Sequence, residues 1–285
     1  MSRRVHPALW IWLAAGFAFL YVPIVSLIIF SFNESKLVTV WSGFSTRWYG
    51  ALLQNDQILS AAGLSVRIGL ISASLAVVLG TLVAVVLARF GMFRGRALLS
   101  GLATAPLVMP EVITGLSLLL LFVALEQAIG WPSGRSALTI IIAHTTFAMA
   151  YVAVVVQSRL TGMDPAIEEA AMDLGARPSK VFFVITLPLI SPALVSGFLL
   201  AFTLSLDDLV LASFVSGPGA TTLPMVIYSK VRLGLSPEIN ALATLMVAVV
   251  GAGVVIAGVI LNRAEKARQR DEQMALAGDE APPLR

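Results

Sequence analysis

Six apolar runs of 21 to 29 residues make up most of this sequence, and polar segments separate each run from the next. A helix that crosses a bilayer needs roughly 20 mostly apolar residues, because each residue adds about 1.5 Å along the helix. The runs cover residues 8–32, 68–88, 97–125, 137–158, 189–215 and 239–261. The sequence therefore predicts an all-α membrane protein with six transmembrane helices.

The composition excludes a soluble protein of this length. Of the 285 residues, 58% are hydrophobic and 12% are charged, whereas soluble domains carry about 25% charged residues. One soluble core cannot bury so much apolar surface. Cysteine is absent, which excludes a disulfide framework and thiolate metal ligands. The run 8–32 is too long for the apolar part of a signal peptide, about 7–15 residues, so we expect 1–32 to be a short N-terminus and an uncleaved first span.

Lysine and arginine residues are distributed unequally between the two sides of the predicted membrane. With six spans, thirteen of them fall on the side of the N-terminus and five on the opposite side, if Arg67 at a helix end is left out. Short loops rich in these residues stay in the cytoplasm. We therefore expect a bacterial inner-membrane protein with both termini in the cytoplasm.

Two polar segments lie outside the predicted core of spans. Segment 33–59 contains Trp41, Trp48 and Tyr49, and such aromatic residues favour the membrane–water interface. We expect a periplasmic loop there with a short interfacial helix. Segment 263–285 is charged and then rich in Ala, Gly and Pro, so we expect a disordered cytoplasmic tail.

No pattern in the sequence indicates an enzyme. It lacks the G-x-x-x-x-G-K-[ST] loop that binds nucleotide phosphates and the H-E-x-x-H pattern of zinc hydrolases. The two histidines, His6 and His144, are far apart, and a lone histidine in an apolar run is more often packed or hydrogen-bonded than a metal ligand. We expect no catalytic residue, no metal site and no cofactor on this chain, and no nucleic-acid partner.

The polar segment 159–188 is longer than a simple connection, and it contains residues that typically start and end helices. Connections between helices in bundles are usually about 2–8 residues long. Asp164 can cap a first helix, and Gly175 can end it in a left-handed conformation. Pro178 then starts a second helix, which we expect to be interrupted at Pro188. We interpret this segment as a docking element for another protein.

The same segment contains the pattern E-A-A-x3-G-x9-I-x-L-P in full. This pattern resembles the EAA motif of the permease subunits of binding-protein-dependent ABC importers, in which it forms coupling helices that fit a cleft of the ATPase subunit. The resemblance covers residues 60–262 and implies the transmembrane core of an ABC importer permease with a cytoplasmic coupling hairpin. The matching residues, to which the resemblance assigns ATPase coupling, are Glu169, Ala170, Ala171, Gly175, Ile185, Leu187 and Pro188.

The resemblance also implies partners, cofactors and a substrate. ATP and Mg²⁺ then bind to two separate ATPase subunits, a second permease subunit of different sequence completes the path, and a periplasmic binding protein delivers the solute. The stretch 204–245 is similar to the polyamine permeases, those for putrescine above all. Another solute of the same machine, such as another organic cation, iron or a sulfate-like anion, stays open, and so does an ATP-independent secondary transporter.

Acidic residues inside two of the apolar runs are candidates for the substrate path. A carboxylate near the bilayer centre costs about 2.5–3.5 kcal/mol on insertion scales, so it is usually functional or paired. Asp207 and Asp208 lie in the fifth run and Glu111 in the third. Ser205 can share a helix face with Asp208, whereas Asp207 and Asp208 point in different directions. We expect some of these residues to stabilise an ammonium group as it passes through the membrane.

Overall fold

The computed structural model describes the backbone of residues 7–37, 40–233 and 237–279. Helices form nearly all of the regular structure in these residues, and the remaining element is an isolated bridge between Asn33 and Phe44. In chain order the helices are α1 (Pro7–Phe30), α2 (Arg47–Leu53), α3 (Asp56–Arg89), α4 (Arg96–Val108), α5 (Glu111–Ile129), α6 (Ala137–Thr161), α7 (Ala166–Asp173), α8 (Pro178–Val181), a π-helical turn (Phe182–Thr186), α9 (Leu187–Asp207), α10 (Val210–Val215), α11 (Leu223–Leu233) and α12 (Pro237–Asp279).

Within the described residues, five helices are long and apolar enough to cross a membrane. They are Leu9–Phe30, Asp56–Arg89, Glu111–Ile129, Ala137–Thr161 and Pro178–Asp207. The predicted all-helical architecture is therefore confirmed. The sixth predicted run falls in α12, where the described apolar stretch is the shorter Pro237–Gly253, so the count of six spans stays a prediction.

Two predicted polar segments, the loop 33–59 and the tail from residue 263, differ from the structure. Helix α3 begins at Asp56, before the end of the loop predicted for 33–59, because Asn55 caps it by accepting a hydrogen bond from the backbone N–H of Ile58 at 3.2 Å. Helix α12 continues to Asp279, whereas the sequence predicted a disordered tail from residue 263. The tail is rich in Ala, Glu, Lys, Arg and Gln, which are strong helix formers.

The unit Asn55–Ser229 is built around α3, α6 and α9. Helix α6 is the most buried candidate span, since 61% of its most apolar stretch lies inside the protein. Small residues let the three helices approach closely, as is common in membranes. A Cβ atom at Gly80 of α3 would lie 2.9 Å from both the Met149 carbonyl oxygen and Val152 of α6. Ala73, Ala76, Ala84, Ala148, Val156, Leu160, Ile190 and Ala201 complete this core.

A second apolar cluster attaches α5 and α10 to the same three-helix core. Phe122 of α5 and Val215 of α10 pack with Ile68 of α3 and Ile140 of α6. Gly115 of α5 leaves room for Phe214, whose ring would lie 2.7 Å from a Cβ atom at that position. The two helices that follow the helix breaks, α5 and the short α10, are thereby held against the core.

The described part of the unit formed by Met1–Gln54 and Lys230–Arg285 contains an ion pair between Lys230 and Glu238 at 3.1 Å and a group of hydrogen bonds near the end of α1. The Asn33 side chain donates to the Val40 carbonyl at 2.7 Å, and Trp48 Nε1 donates to the Asn33 carbonyl at 2.7 Å. Helix α2 is the short helix that the sequence predicted in this loop. In contrast, none of the apolar window of α1 is buried, so its side chains face outward.

Candidate functional site

The segment between α6 and α9, residues 162–186, folds into a capped helix, a tight turn and a second helix. We call it the α7–α8 segment. Asp164 Oδ1 accepts a hydrogen bond from the Ala166 backbone N–H at 3.0 Å. At the other end, Gly175 has a φ of +85°, and its N–H donates to the Met172 carbonyl at 2.9 Å while that of Ala176 donates to the Ala171 carbonyl at 3.1 Å. This is a Schellman motif, which suits glycine because a left-handed residue without Cβ is unstrained. The predicted glycine cap is confirmed.

The helix that follows does not stop at Pro188, and this prediction was wrong. Residues Phe182–Thr186 form a π-helical turn in which the Leu187 N–H donates to the Phe182 carbonyl. Helix α9 continues directly from this turn with Pro188 in its first turn. A wider π-turn gives the proline ring room, and the first turn of a helix tolerates the missing N–H. Further on, the Ser191 hydroxyl donates to the Pro188 carbonyl at 2.8 Å, which replaces the donor that Pro192 lacks.

The tip of the α7–α8 segment exposes apolar side chains beside an open groove. The Leu174 side chain is 90% exposed and that of Ile167 is 47% exposed. The groove has a volume of about 490 Å³ and is lined by Ala171, Leu174, Gly175, Ala176, Arg177, Ser179 and Lys180. The first half of the E-A-A pattern therefore surrounds a surface that another protein can contact.

The structure separates the two halves of the E-A-A pattern. Glu169 and Ala170 are exposed on α7, and Ala171 and Gly175 line the groove. In contrast, Ile185 is half-buried in the π-turn, where the chain joins the helix bundle. Leu187 and Pro188 follow at the start of α9. The first half of the pattern thus forms an exposed surface, and the second half connects that surface to the helix bundle.

Two helix breaks in the unit Asn55–Ser229 carry the acidic residues of the third and fifth runs. The third run is interrupted at Met109 and Pro110, between α4 and α5, and Glu111 is the first residue of α5. The fifth run is interrupted after Asp207, and Asp208 and Leu209 connect α9 to α10. In a bilayer such breaks are tolerated where the backbone lies within protein or beside water.

Asp208 is bound within the chain. Its Oδ2 lies 3.0 Å from Nε2 of His144, and Nδ1 of the same imidazole lies 2.6 Å from the Ser205 hydroxyl. The carboxylate also accepts hydrogen bonds from the backbone N–H groups of Leu211 at 3.1 Å and Ala212 at 2.8 Å. The side chains of His144 and Asp208 are only 2% and 8% exposed. This network joins α6, α9 and α10, and it satisfies a carboxylate that would otherwise be costly to bury.

The sequence alone did not show the role of His144. It lies 64 residues from Asp208 along the chain, so no local pattern connects them. The available signal for this pair was that a histidine and an aspartate lie in two different apolar runs. Each of these side chains needs a polar partner inside a membrane. Of the two readings that the sequence allowed for His144, the hydrogen-bonded one is confirmed.

Glu111 and Asp207 differ from Asp208 in their surroundings. Both side chains are exposed in this chain, and neither forms an ion pair with another described residue. They come from separate helix breaks, and the helices that follow these breaks, α5 and α10, pack against each other where Phe214 lies against Gly115. Within the described residues, Glu111 and Asp207 are thus the acids of the predicted path set that are exposed and have no ion-pair partner.

Comparison with known proteins identifies the family. The family model for the binding-protein-dependent transport system inner membrane component matches residues 76–269. This chain belongs to that family. Family membership and the apolar helices make it a multi-pass membrane protein.

Relatives with known names cover nearly the whole chain. It is 65% identical over 266 residues to the putrescine transport system permease protein PotI of Escherichia coli (strain K12), which covers 93% of this chain and 95% of the relative. It is 42% identical over 251 residues to the spermidine/putrescine transport system permease protein PotC of the same strain, which covers 88% of this chain and 92% of the relative.

The fold also matches a solved structure of the same kind of transporter. The crystal structure of a bacterial ABC transporter involved in the import of the acidic polysaccharide alginate aligns with a TM-score of 0.69, at 14% identity, over 90% of this chain and 94% of that chain. At this identity the match supports the permease fold alone.

Proposed function

We propose that this chain is the permease subunit of an ATP-driven importer for a polyamine, putrescine above all, and that the α7–α8 segment couples it to a separate ATPase. The observation that carries this proposal is the fold of that segment. The E-A-A residues and the groove form an exposed surface, and the second half of the pattern leads into the helix bundle. The 65% identity to a putrescine permease over 93% of the chain supports the substrate.

Leu174 is the anchor of the proposed ATPase contact. It lies at the tip of the segment with 90% of its side chain exposed. An apolar side chain at such a position is unfavourable in water, and it is stabilised when it fills a pocket on a partner protein. Glu169 and Ala170 lie on the exposed side of the preceding helix. ATP and Mg²⁺ bind to the ATPase subunits, and two such subunits serve one importer.

Glu111 and Asp207 are the proposed cation-stabilising groups of the path. Both are accessible, and they lie at the breaks before two helices, α5 and α10, that pack against each other, so they create a negative field that attracts a diammonium molecule and opposes an anion. Asp208 and Ser205, which the sequence also placed in the path, act indirectly because His144 already holds them. Their contribution is to hold the α9–α10 break in position beside Asp207.

The proposed assembly contains a second permease subunit of different sequence and a periplasmic binding protein. The apolar windows of α1 and α5 are 0% and 17% buried in this chain, which leaves faces for lipid and for the second permease. The family is named for its dependence on a binding protein. The excess of Lys and Arg on the side of the N-terminus supports an inner-membrane orientation with both termini and the α7–α8 segment in the cytoplasm.

Spermidine is the second candidate substrate, because the relative at 42% identity carries spermidine as well as putrescine in its name. The test is uptake of labelled putrescine and of labelled spermidine by proteoliposomes that contain the full importer and its binding protein. Uptake of putrescine that requires ATP and the binding protein supports the proposal. ATP-driven uptake of a different solute keeps the coupling and rejects the substrate, and uptake without ATP rejects the coupling.

A further inference from the structure

Two neighbouring glutamates of α7 have opposite surroundings. Successive helix residues point about 100° apart, so Glu169 of the E-A-A pattern is exposed while Glu168 turns toward the bundle. The Glu168 side chain is only 13% exposed. A carboxylate this enclosed needs partners, and both of its oxygens have one.

The partners of Glu168 come from two different helices of the bundle. Its Oε2 lies 2.8 Å from Nε of Arg89, the last residue of α3. Its Oε1 accepts a hydrogen bond from the Thr186 hydroxyl at 2.7 Å. Thr186 is 4% exposed and ends the π-turn. One side chain therefore connects α7 to both α3 and the root of α9.

The contact with Arg89 is close but imperfectly aligned. Nη2 of the guanidinium lies 3.5 Å from Oε1, and the Nε–H makes no well-directed hydrogen bond despite its 2.8 Å distance to Oε2. The Arg89 side chain is 19% exposed, so water screens the pair less than it screens a surface pair. The pair therefore holds α7 beside the end of α3 mainly by charge and not by a well-directed hydrogen bond.

We call the contacts of Glu168 with Arg89 and Thr186 the Glu168 junction. The position of Thr186 is a second reason to regard this junction as functional. A π-turn is an unusual element that occurs often at functional sites, and here it lies where the α7–α8 segment enters a spanning helix. Arg89 ends the 34-residue helix α3, which packs against both α6 and α9. The two contacts of Glu168 therefore lead from α7 to two helices, α3 and α9, that pack against each other.

We propose that Glu168 is a positioning residue that transmits the movement of α7 to the transmembrane helices, to α3 through Arg89 and to α9 through Thr186. The inference rests on the proposed function, because it requires an ATPase that moves α7. It assigns different tasks to the two glutamates: Glu169 lies on the surface that meets the ATPase, and Glu168 connects that surface to the path.

The test compares Glu168→Gln, Arg89→Gln and Thr186→Val in the full importer in proteoliposomes. Asp173→Asn is the matched control, because it removes a carboxylate from an exposed position of the same helix. Thr186→Ser keeps the hydroxyl and controls for Thr186→Val. Three quantities are measured for each: co-purification of the ATPase, ATP hydrolysis, and solute taken up per ATP hydrolysed.

We expect Glu168→Gln and Arg89→Gln to keep the ATPase bound and to lower uptake per ATP about tenfold, within the range by which coupled neighbours interact. Thr186→Val should have a smaller effect and Thr186→Ser almost none. The exchange of charges in the double variant Glu168→Arg with Arg89→Glu should restore part of the coupling. A merely structural ion pair would lower thermal stability and leave uptake per ATP unchanged.

Three results would overturn the inference: uptake per ATP in Glu168→Gln equal to that in Asp173→Asn, loss of the ATPase from Glu168→Gln, or lower stability without any change in uptake per ATP. The unaltered importer separates this failure from failure of the proposed function. If it takes up no putrescine with ATP, the function is wrong as well. If it does so while Glu168→Gln behaves like the control, only the role of Glu168 is wrong.

The absence of cysteine permits a second measurement that does not depend on the solute. Cysteines introduced as Met172→Cys on α7 and Ser74→Cys on α3 carry a pair of spin labels. If Glu168 joins these helices, the distance between the labels stays narrowly distributed when ATP is added. With Glu168→Gln the distribution should broaden, and an unchanged distribution would count against the junction.

Discussion

The α7–α8 segment and the acidic residues at the two helix breaks are both polar regions of an apolar chain, but their bonds are of different kinds. Apart from Glu168, which is bonded to Arg89 and Thr186, the segment satisfies its polar groups with neighbours a few residues away, through Asp164 and the Schellman motif at Gly175. The acidic region depends on partners such as His144, which lies 64 residues from Asp208. A locally bonded element can present its outer face to a partner protein, whereas a region held by distant helices changes when those helices move.

The acidic region is itself divided. Asp208 is enclosed and bonded to three groups of the chain, the His144 ring and the backbone N–H groups of Leu211 and Ala212. Glu111 and Asp207 are exposed and have no ion-pair partner among the described residues. The difference indicates that Asp208 supports the fold of the break, and it supports the proposal that Glu111 and Asp207 meet the substrate.

The largest expected effect is on stability. Asp208→Ala removes the acceptor for His144 and for two backbone N–H groups of α10, and we expect a loss of about 3 kcal/mol of unfolding free energy, since each buried donor left without a partner costs about 1–3 kcal/mol. Asp207→Ala should change stability by less than about 0.5 kcal/mol, as exposed positions do. Thermal unfolding in detergent measures both, and equal losses would contradict the division between the two aspartates.

The next effect concerns the exposed tip of the α7–α8 segment. Leu174→Asp should weaken ATPase binding about thirtyfold, which corresponds to the roughly 2 kcal/mol that defines an interface hot spot. Stability should not fall, because the side chain is 90% exposed. Met92→Asp is the matched control, since Met92 is also 90% exposed and lies between α3 and α4. Pull-down of the ATPase at graded concentrations gives the affinities, and equal weakening by both variants would reject Leu174 as the anchor.

Asp207→Asn and Glu111→Gln should each lower putrescine uptake about tenfold, equivalent to about 1.4 kcal/mol of lost attraction for the cation. Neither should alter ATPase binding, because both residues lie at the helix breaks and not in the α7–α8 segment. Glu126→Gln, near the other end of α5, is the control for Glu111→Gln. The measurement is the initial uptake rate of each variant. Rates equal to that of the control would show that Glu111 and Asp207 do not stabilise the cation in the path.

The smallest effect is expected at Gly175. A Cβ atom there would contact nothing within 4 Å, but its φ is +85°, so Gly175→Ala costs only the strain of a left-handed residue, about 1 kcal/mol. Gly175→Asn should cost less, because Asn tolerates this conformation. ATPase co-purification and thermal unfolding should both follow the order Gly, Asn, Ala. A reversed order would show that the Schellman motif is not what shapes the groove.

Local signals in the sequence predicted the elements that depend on neighbouring residues. The apolar runs 68–88 and 137–158 lie within α3 and α6, because burial in lipid requires continuous apolar length. The cap at Gly175 was predicted because a helix often ends at a left-handed residue, which glycine adopts without strain. Pro188 shows the limit of such signals, since a π-turn of five residues accommodated a proline that otherwise ends a helix.

Distance along the chain explains what could not be predicted. The partners of Glu168 lie 79 residues away at Arg89 and 18 residues away at Thr186, and each joined the site through helix packing. The sequence identified Glu169 by its motif but had no local reason to separate it from Glu168. The same applies to His144, which acquired its partners Ser205 and Asp208 only when α6 packed against α9.

By itself, the sequence determined that this chain is helical, that it belongs in a membrane, and that the residues between α6 and α9 form a capped element with the E-A-A pattern. These properties follow from the length of apolar runs and from backbone hydrogen bonds within a few residues. Only the tertiary structure decided which acids are bound and which are free, and which of two adjacent glutamates faces the bundle. The physical reason is that the environment of a charge in a membrane protein is set by side chains from other helices, and those come together only when the helices pack.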